Sequence, residues 1–323
     1  MTTPTLDEDC VPAVGLTQWE VRFVLDIRRL VMLREVHLRG SITAAAKALS
    51  YSHSGVSQQL ALLEKDAGVP LLEKVGRGVR LTPAAEELVI RTDEILAVLE
   101  RAQADLAISD TQVRGTLRLA AFTTIARSAV PRVVALLKDR HPHLDVRFRQ
   151  VEPEEGALLL ASRRVDALVA DSYPETPKTA AAGLHADLLI DDPIRAYLPR
   201  GIEPSSKEDL KRLQWVLEPV GTEAHAWALR LCHENGFDPD VAFESEDLLF
   251  HLRAVESGVA EAFIPDLVVR EASRPIRSTT LLATQQFRQI SLVCRAGAET
   301  RPAIVACRQA FEECLQHVPA TDE

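Results

Sequence analysis

Polar side chains suited to reading another molecule cluster after Ser52, at the start of a predicted helix. The first two turns of that helix carry four of them: His53, Ser54, Ser57 and Gln58. A glutamine amide can make a paired hydrogen-bond contact with adenine, and serine hydroxyls can meet base edges or phosphate oxygens. Ser52 itself is expected to cap the helix. The segment therefore predicts a surface that contacts DNA, with the N-terminal turns of the helix in the major groove.

Basic residues form a second group around a glycine-rich turn at 76–78. Lys74, Arg77 and Arg80 lie in or beside this turn, between two short apolar runs that predict a β-hairpin. We expect them to reach phosphate or the minor groove. Residues 26–82 carry nine Lys/Arg and five Asp/Glu, a net charge of +4 in a chain whose total is −10, which leaves −14 for the remainder. That division suits a basic module that contacts phosphate, joined to an acidic module that does not.

Three predicted helices and the hairpin position these two groups. Apolar residues at helical spacing predict a first helix that ends at Gly40, and Ser41 caps a short alanine-rich second helix. Small alanine side chains let two helices approach closely, as a tight helix-turn-helix requires. The third helix ends at Gly68, and the hairpin follows. Residues 25–82 therefore predict a winged helix-turn-helix DNA-binding domain, preceded by a flexible extension over 1–24.

A long linker helix is predicted over residues 83–112. Thr82 is its expected cap, and Pro83 at the first position costs no hydrogen bond. Apolar and small residues repeat along it at alternating steps of four and three, the spacing of a coiled-coil seam: Leu88, Thr92, Ile95, Leu99, Ala102 and Leu106. We expect this seam to pair with a second copy of the chain. A seam this narrow could also pack on the protein's own domain.

Strands and helices alternate through residues 113–323, which predicts a parallel sheet with helices on its faces. The order fits two α/β lobes joined by crossing strands. Ligands bind such sheets beyond the carboxyl ends of the strands, where helix N-termini point at them. The loops expected there supply the predicted effector-binding residues: Phe122, Thr123, Thr124, Val220, Gly221, Thr222 and Asp247. Thr124 and Thr222 could instead only cap their helices.

The chemistry of these loops bears on what the effector carries. Backbone N–H groups and threonine hydroxyls suit a carboxylate. The acidic pair Glu246-Asp247 could meet an amino group on the same molecule, or could simply suit the start of its helix. An amino acid or another amine-bearing acid is therefore one expectation, and the sequence leaves the identity of the effector open.

Residues 26–85 carry three motifs in order: GSITAAAKAL, SHSGVSQQ and GRGVRLTPAA. In this order and spacing they resemble the LysR-type transcriptional regulators, and the later stretch FESEDLLFHLRAVESGVAEAFIP resembles the family's effector domain more thinly. The resemblance implies a winged helix-turn-helix, a long linker helix and a two-lobed periplasmic-binding-protein-like α/β domain that holds a small-molecule effector between its lobes. It also implies double-stranded DNA as a partner, a homodimer that commonly pairs into a tetramer, and RNA polymerase as a further candidate partner.

Other function classes lack a supporting motif. GxSxG, P-loop and GxGxxG patterns are missing, so we expect no enzyme, no cofactor and no metal. The five cysteines include no CxxC pair, and Cys232 stands alone where a redox-sensing regulator would need a reactive and a resolving thiol. A solute-binding protein would need an export signal. A DNA-bending protein without an effector stays open, as do activation against repression and dimer against tetramer.

The N-terminal segment bears on where the protein works. It lacks the basic and apolar regions of a signal peptide, and no apolar run reaches the roughly 18 residues that a membrane span needs. We therefore expect a cytoplasmic protein. Val24 could be an alternative translation start.

Overall fold

The computed structural model describes residues 25–76, 78–108, 112–174, 183–199, 201–282 and 286–316. The predicted extension at 1–24 and the predicted DNA-contacting residue Arg77 lie outside the described residues. The chain divides into two units, residues 1–89 and residues 90–323.

The described part of the first unit contains a group of helices followed by an antiparallel hairpin: α1 (Ile27–Arg39), α2 (Ile42–Leu49), α3 (His53–Ala67), β1 (Leu72–Val75) and β2 (Gly78–Leu81). Local signals set the helix ends. The Ser41 and Ser52 side chains accept backbone N–H groups at the starts of α2 and α3. Gly40 and Gly68 end α1 and α3 at φ +69° and +72°, a conformation that costs glycine little. The predicted winged helix-turn-helix is confirmed.

A small apolar core holds these helices together. Leu33 of α1 and Leu60 of α3 are at most 1% exposed, and the fully buried Ala45 of α2 belongs to the same cluster. An alanine at this point lets the helices approach closely, as the sequence predicted. Because α3 turns its apolar side inward, its polar side faces outward.

One long helix, α4 (Pro83–Ile108), continues from the first unit into the second. Ala85 and Val89 in its first turns belong to the core of the first unit. Within the second unit, Glu100 is buried, and a Cβ at Gly297 would lie 2.2 Å from the carbonyl oxygen of Ala97. The helix therefore packs closely on the domain that follows it.

The structure corrects part of the predicted seam along α4. Thr92 is fully buried within its own chain, and Leu88 packs against the core of the first unit. The larger apolar residues that stay exposed along the described part of α4 are Ile90, Ile95, Val98, Leu99 and Leu106, and the predicted Ala102 is exposed as well. Ile90 and Val98 were not predicted. Periodicity identifies residues that share a face, but it does not tell an open face from one that packs on the same chain.

The second unit contains two α/β lobes. The first lobe contains β3 (Gly115–Ala121), α5 (Thr123–Ser128), α6 (Val130–Arg140), β4 (Leu144–Gln150), α7 (Pro153–Ala161), β5 (Ala167–Ser172) and α12 (Pro302–Gln316). The second lobe contains α8 (Lys207–Leu210), β7 (Gln214–Leu217), α9 (Glu223–Glu234), β8 (Asp240–Glu244), α10 (Leu248–Glu256), β9 (Glu261–Pro265), α11 (Asp266–Val269) and β10 (Arg277–Ser278). Two longer strands, β6 (Leu184–Leu198) and β11 (Gln286–Arg295), cross between the lobes.

The strands follow the order β4-β3-β5-β11-β6-β9-β7-β8, with β10 beside β6. The three strands of each lobe, β3 to β5 and β7 to β9, pair in parallel as predicted. The crossing strands run antiparallel to each other and to their other neighbours. The sheet is therefore mixed, and the parallel expectation holds only inside each lobe.

Two features of this unit differ from the sequence pattern. No element was predicted between β5 and β7, where the structure has the 15-residue strand β6. Its apolar residues are interrupted by acids such as Asp187 and Asp192, which obscures the strand signal. The single helix predicted over 125–140 is divided at Ala129 into α5 and α6.

Candidate functional site

The outer face of α3 presents the polar residues predicted to contact DNA. Val56, Leu60 and Leu63 are buried at helical spacing, which turns the opposite side of the helix outward. The exposed residues on that side include His53, Ser54, Ser57 and Gln58. The structure thus brings the four predicted residues together on one accessible face.

Hydrogen bonds brace α3 from its other side. The Ser52 Oγ accepts the backbone N–H of Gly55 at 3.0 Å, so Ser52 caps the helix as expected. Arg29 donates from Nε to the Gln59 side chain at 3.1 Å and forms an ion pair with Asp66. The half-buried Gln59 therefore contacts α1 through Arg29, whereas the neighbouring Gln58 is exposed.

The hairpin is tied to α3 by one carboxylate. Glu64 Oε1 accepts the backbone N–H groups of Leu71 and Leu72 at 2.9 and 3.0 Å. Lys74 is exposed on β1, and Arg80 on β2 donates from Nε to Glu73 at 2.6 Å. The sequence reasoning missed this pairing, which partly offsets the charge of Arg80 and leaves Lys74 as the more available cation.

A cavity of about 350 Å³ lies between the two lobes of the second unit. Of the predicted effector-binding residues, Phe122, Thr123, Thr124 and Thr222 line it. The carboxyl ends of β3 and β7 lead into these residues, as expected for an α/β sheet.

The other three predicted residues do not line this cavity. Val220 is 77% exposed, and Gly221 lies beside it. The Asp247 side chain instead caps α10, accepting the Leu249 N–H at 2.9 Å. Thr222 likewise caps α9, accepting from His225, although it also borders the cavity. The loops that carry the predicted residues border the cavity, and local capping sets the direction of the Asp247 and Thr222 side chains, which the sequence pattern did not resolve.

A buried arginine, which the sequence reasoning missed, forms one wall of the cavity. Arg288 on β11 is 1% exposed, and its guanidinium lies 2.9 Å from Asp192 on β6 and 3.2 Å from Asp171 on β5. Its Cζ lies 5.3 Å from the centre of the Phe122 ring. The strand predicted over 289–295 begins one residue after Arg288. Had the predicted strand included Arg288, a charged residue in an apolar strand would have marked this position as unusual.

Carboxylates dominate the rest of the lining. Six of the lining residues are acidic: Glu152, Glu154, Asp171, Glu218, Glu223 and Glu246. Among the described lining residues, Arg288 is the one lysine or arginine. Burial first, and then the nearby charge of Asp171, raise the pKa of the Glu218 carboxyl to about 8. Burial also raises the pKa of Glu152 and of Asp171.

A small inner pocket of about 20 Å³ adjoins the cavity and shares Tyr173 and Glu218 with it. His251 lines this pocket and is 2% exposed. Its Nε2 lies 2.7 Å from the Ser245 carbonyl oxygen, which can only accept, so we assign the proton to Nε2. Burial lowers the pKa of His251, and its Nδ1 has no hydrogen-bond partner in the described part of the chain. The inner pocket therefore presents a hydrogen-bond acceptor.

The cysteines of the second unit are poorly suited to redox sensing. Cys232, Cys294 and Cys307 are buried, and burial raises the pKa of each thiol to about 12. Because the thiolate is the reactive form, these thiols are held in an inert state. Cys10 lies outside the described residues.

The described residues also bear on metal binding and on membrane insertion. No group of three or more His, Cys, Asp or Glu side chains there could hold a metal ion. None of the helices described there has the length and apolarity needed to cross a membrane.

Two family models match the chain. The model described as bacterial regulatory helix-turn-helix protein, lysR family, matches residues 27–86. The model described as LysR substrate binding domain matches residues 110–316. These matches cover both the unit with the exposed α3 face and the two lobes around the cavity.

Known proteins and solved structures are similar to this chain over most of its length. The transcriptional dual regulator GltC of Bacillus subtilis is 27% identical over 255 residues, covering 77% of this chain and 83% of GltC. A probable hydrogen peroxide-inducible genes activator of Streptomyces viridosporus is 29% identical over 287 residues, covering 85% and 89%. A full-length OxyR structure from Pseudomonas aeruginosa gives a TM-score of 0.57 at 20% identity, covering 90% of this chain and 98% of that one.

Proposed function

Because the chain belongs to the LysR family of transcriptional regulators, we propose that the exposed face of α3 reads DNA sequence and that the cavity between the lobes binds the effector. Regulators of this family combine a helix-turn-helix DNA-binding domain with an effector-binding domain, and this chain has both. The observation that carries the proposal is the exposed polar face of α3, opposite its buried Val56 and Leu60.

Each part of the DNA-binding surface has a separate task. The N-terminal turns of α3, with Ser57 and Gln58, enter the major groove and contact base edges. The hairpin brings Lys74 to the phosphate backbone, with Arg77 and Arg80 as further candidates. Base contacts discriminate between sequences, whereas phosphate contacts add affinity that is independent of sequence and weakens with salt.

Substitution of Gln58 and of Lys74 should separate these two tasks. Gln58→Ala should weaken binding to the specific site by about 1–3 kcal/mol and leave random DNA nearly unaffected, because it removes a base contact. Lys74→Ala should weaken both alike and reduce the salt slope by about 1, because it removes a phosphate contact. Fluorescence anisotropy with the DNA upstream of the protein's own gene and with a scrambled duplex, at several salt concentrations, measures both effects.

Gln59→Ala is the matched control, since this glutamine is half-buried and contacts Arg29 instead of facing outward. It should leave the ratio of specific to random binding unchanged. Equal losses on both duplexes from Gln58→Ala would contradict the proposed role of α3.

We further propose that α4 pairs with α4 of a second copy of the chain. Ile95, Leu99 and Leu106 are 42%, 43% and 77% exposed at heptad-like spacing. Helices with such a strip gain by burying it against an identical strip. A dimer would place two copies of α3 in successive turns of the major groove. As parts of the proposed role as a transcriptional regulator, we also propose that dimers pair into tetramers, that the protein contacts RNA polymerase and that it is cytoplasmic.

Leu99→Glu should weaken the dimer at least about tenfold, because the seam would have to bury a carboxylate. Sedimentation velocity over a dilution series measures the change. Gln103→Glu adds the same charge at an exposed position beside the seam and should shift the dimer constant little. A Leu99→Glu protein that dimerises like the parent would exclude this seam.

Strand β11 connects the cavity with α4, so a change at the effector site can be transmitted to this helix. It carries Arg288 at the cavity and ends at Arg295, whose Nε donates to Glu100 Oε1 on α4 at 2.7 Å. We propose that effector binding favours one arrangement of the lobes and shifts α4 through this contact. An effector can do so only if it binds the two arrangements with different affinity.

A further inference from the structure

We propose that the effector is a small cation with at least one protonated amine, held by Glu218 deep in the cavity and by Glu152 and Glu246 nearer its mouth. This inference rests on the proposed role of the cavity as the effector site. The sequence analysis expected an amine-bearing acid, and the proposal keeps the amine but does not require a carboxylate on the effector. Three features of the cavity support a cationic effector: the charge of the lining, the partners of Arg288 and the acceptor in the inner pocket.

The charge of the lining favours a cation. Carboxylates reach the cavity from both lobes: Glu152 follows β4, Glu218 follows β7, and Glu246 follows β8. Glu152 and Glu246 are exposed, whereas Glu218 is half-buried. An anionic effector would enter against this field, while a cation would be drawn inward and would relieve the repulsion between the carboxylates.

Arg288 does not change this balance. Its guanidinium is buried and lies within ion-pair distance of both Asp192 and Asp171. The two anions already offset its charge, so a carboxylate effector would gain little electrostatically, although Arg288 Nη2 makes no hydrogen bond among the described residues. Displacing either anion would leave a buried carboxylate without its partner, which is costly.

The inner pocket contains a hydrogen-bond acceptor and aromatic side chains, which suit the ammonium group of the proposed effector. The buried Nδ1 of His251 has a lone pair and no partner among the described residues. Tyr173 and Trp227 line the same pocket, with ring centres 5.5 Å apart. An ammonium group can donate to such a nitrogen and is attracted to aromatic faces. The unpartnered acceptor is independent of the carboxylates and fits the same class of ligand.

Glu218 should also link effector binding to pH. The charged or titratable groups around it are Asp171, Tyr173 and Arg288 from the crossing and first-lobe strands, Glu152 and Glu246 from the loops, and His251 from α10. Its pKa of about 8 keeps the carboxyl largely protonated at neutral pH. A bound cation stabilises the carboxylate and lowers that pKa, so binding releases a proton. Affinity should therefore rise with pH up to about 8 and then level off.

The test uses matched pairs of opposite charge on the full-length protein. Isothermal titration calorimetry compares 1,4-diaminobutane with succinate and 1,6-diaminohexane with adipate, and adds lysine and agmatine. We expect at least one amine to bind at millimolar concentration or below and neither dicarboxylate to do so. Titrations in phosphate and in Tris should give different heats, because a released proton is taken up by the buffer. Binding of a dicarboxylate, or of none of the amines, overturns the proposal.

The substitution Glu218→Gln tests whether the amine binds in this cavity. Above pH 8, where Glu218 is ionised, the variant should bind the amine about tenfold more weakly, because a charge-assisted hydrogen bond is lost. At pH 6 the difference should nearly vanish. Glu234→Gln, on the exposed end of α9, is the matched control and should behave as the parent. If Glu218→Gln melts early, Glu246→Gln is the second variant and should also bind the amine more weakly than the parent. Equal affinity of both variants and the parent at high pH contradicts this site.

DNA binding separates this inference from the function on which it rests. A protein that binds its upstream DNA specifically but no amine remains a regulator with an effector of another class. A protein that shows no preference for any DNA, whether or not an amine binds, contradicts the regulator proposal itself.

Discussion

Asp192→Ala should lower the free energy of unfolding by about 3–5 kcal/mol, because it leaves a buried arginine without its main partner. Asp192 and Arg288 are each 1% exposed. They are register partners on β6 and β11, and Arg288 Nε donates to Asp192 at 2.9 Å. Asp192 also accepts the Leu267 N–H at 3.1 Å, so the substitution removes two buried hydrogen bonds at the crossing between the lobes.

Urea unfolding followed by tryptophan fluorescence measures this change, since Trp215 and Trp227 are buried in the second lobe. Asp191→Ala is the matched control. Asp191 is exposed, and its side chain accepts a hydrogen bond from the Gln289 side chain at 3.2 Å, so its loss should cost no more than about 0.5 kcal/mol. Similar losses from the two substitutions would show that the buried pair contributes no more than a surface contact.

Glu100→Ala should lower the free energy of unfolding by about 3 kcal/mol and should uncouple effector binding from DNA binding. Glu100 is 1% exposed on α4. Its Oε1 accepts from Arg163 at 2.6 Å and from Arg295 at 2.7 Å. Arg295 keeps the Leu160 and Val165 carbonyl oxygens as acceptors, which places the effect at the lower end of the range for a broken buried pair.

Two readouts check this second prediction. Urea unfolding gives the stability, and anisotropy with the upstream DNA, with and without effector, gives the coupling. Glu94→Ala is the control on the same helix, where Glu94 is 59% exposed and pairs with Arg91 at 2.9 Å. A Glu100→Ala protein whose DNA affinity still responds fully to the effector would exclude β11 and α4 as the path between the sites.

The DNA-binding unit was predictable because its signals are local. Caps such as Ser41 and Ser52 and the helix-ending Gly40 act within one helical turn, so a single sequence reveals them. The apolar spacing of α3 also indicates which side is buried, and therefore that Gln58 faces outward. Local sequence determined most of this surface.

The face of α4 was predictable only in part. Heptad spacing correctly grouped Leu99 and Leu106 as exposed apolar residues. It also included Thr92, which is buried within its own chain, and Leu88, which packs on the first core. Which neighbour covers each residue depends on how distant segments fold back, and periodicity carries no information about that.

The sequence by itself determined the family, the helix-turn-helix, the linker helix, the two α/β lobes and the loops that border the cavity. Only the tertiary structure decided the electrostatics of that cavity. Asp192 and Arg288 are 96 positions apart and meet through the register of two antiparallel strands. Glu152, Glu218 and Glu246 follow strands in different lobes and share one cavity. Charge depends on the sum over such distant neighbours, which no local pattern can supply, and so the acidic character of the site emerged only from the fold.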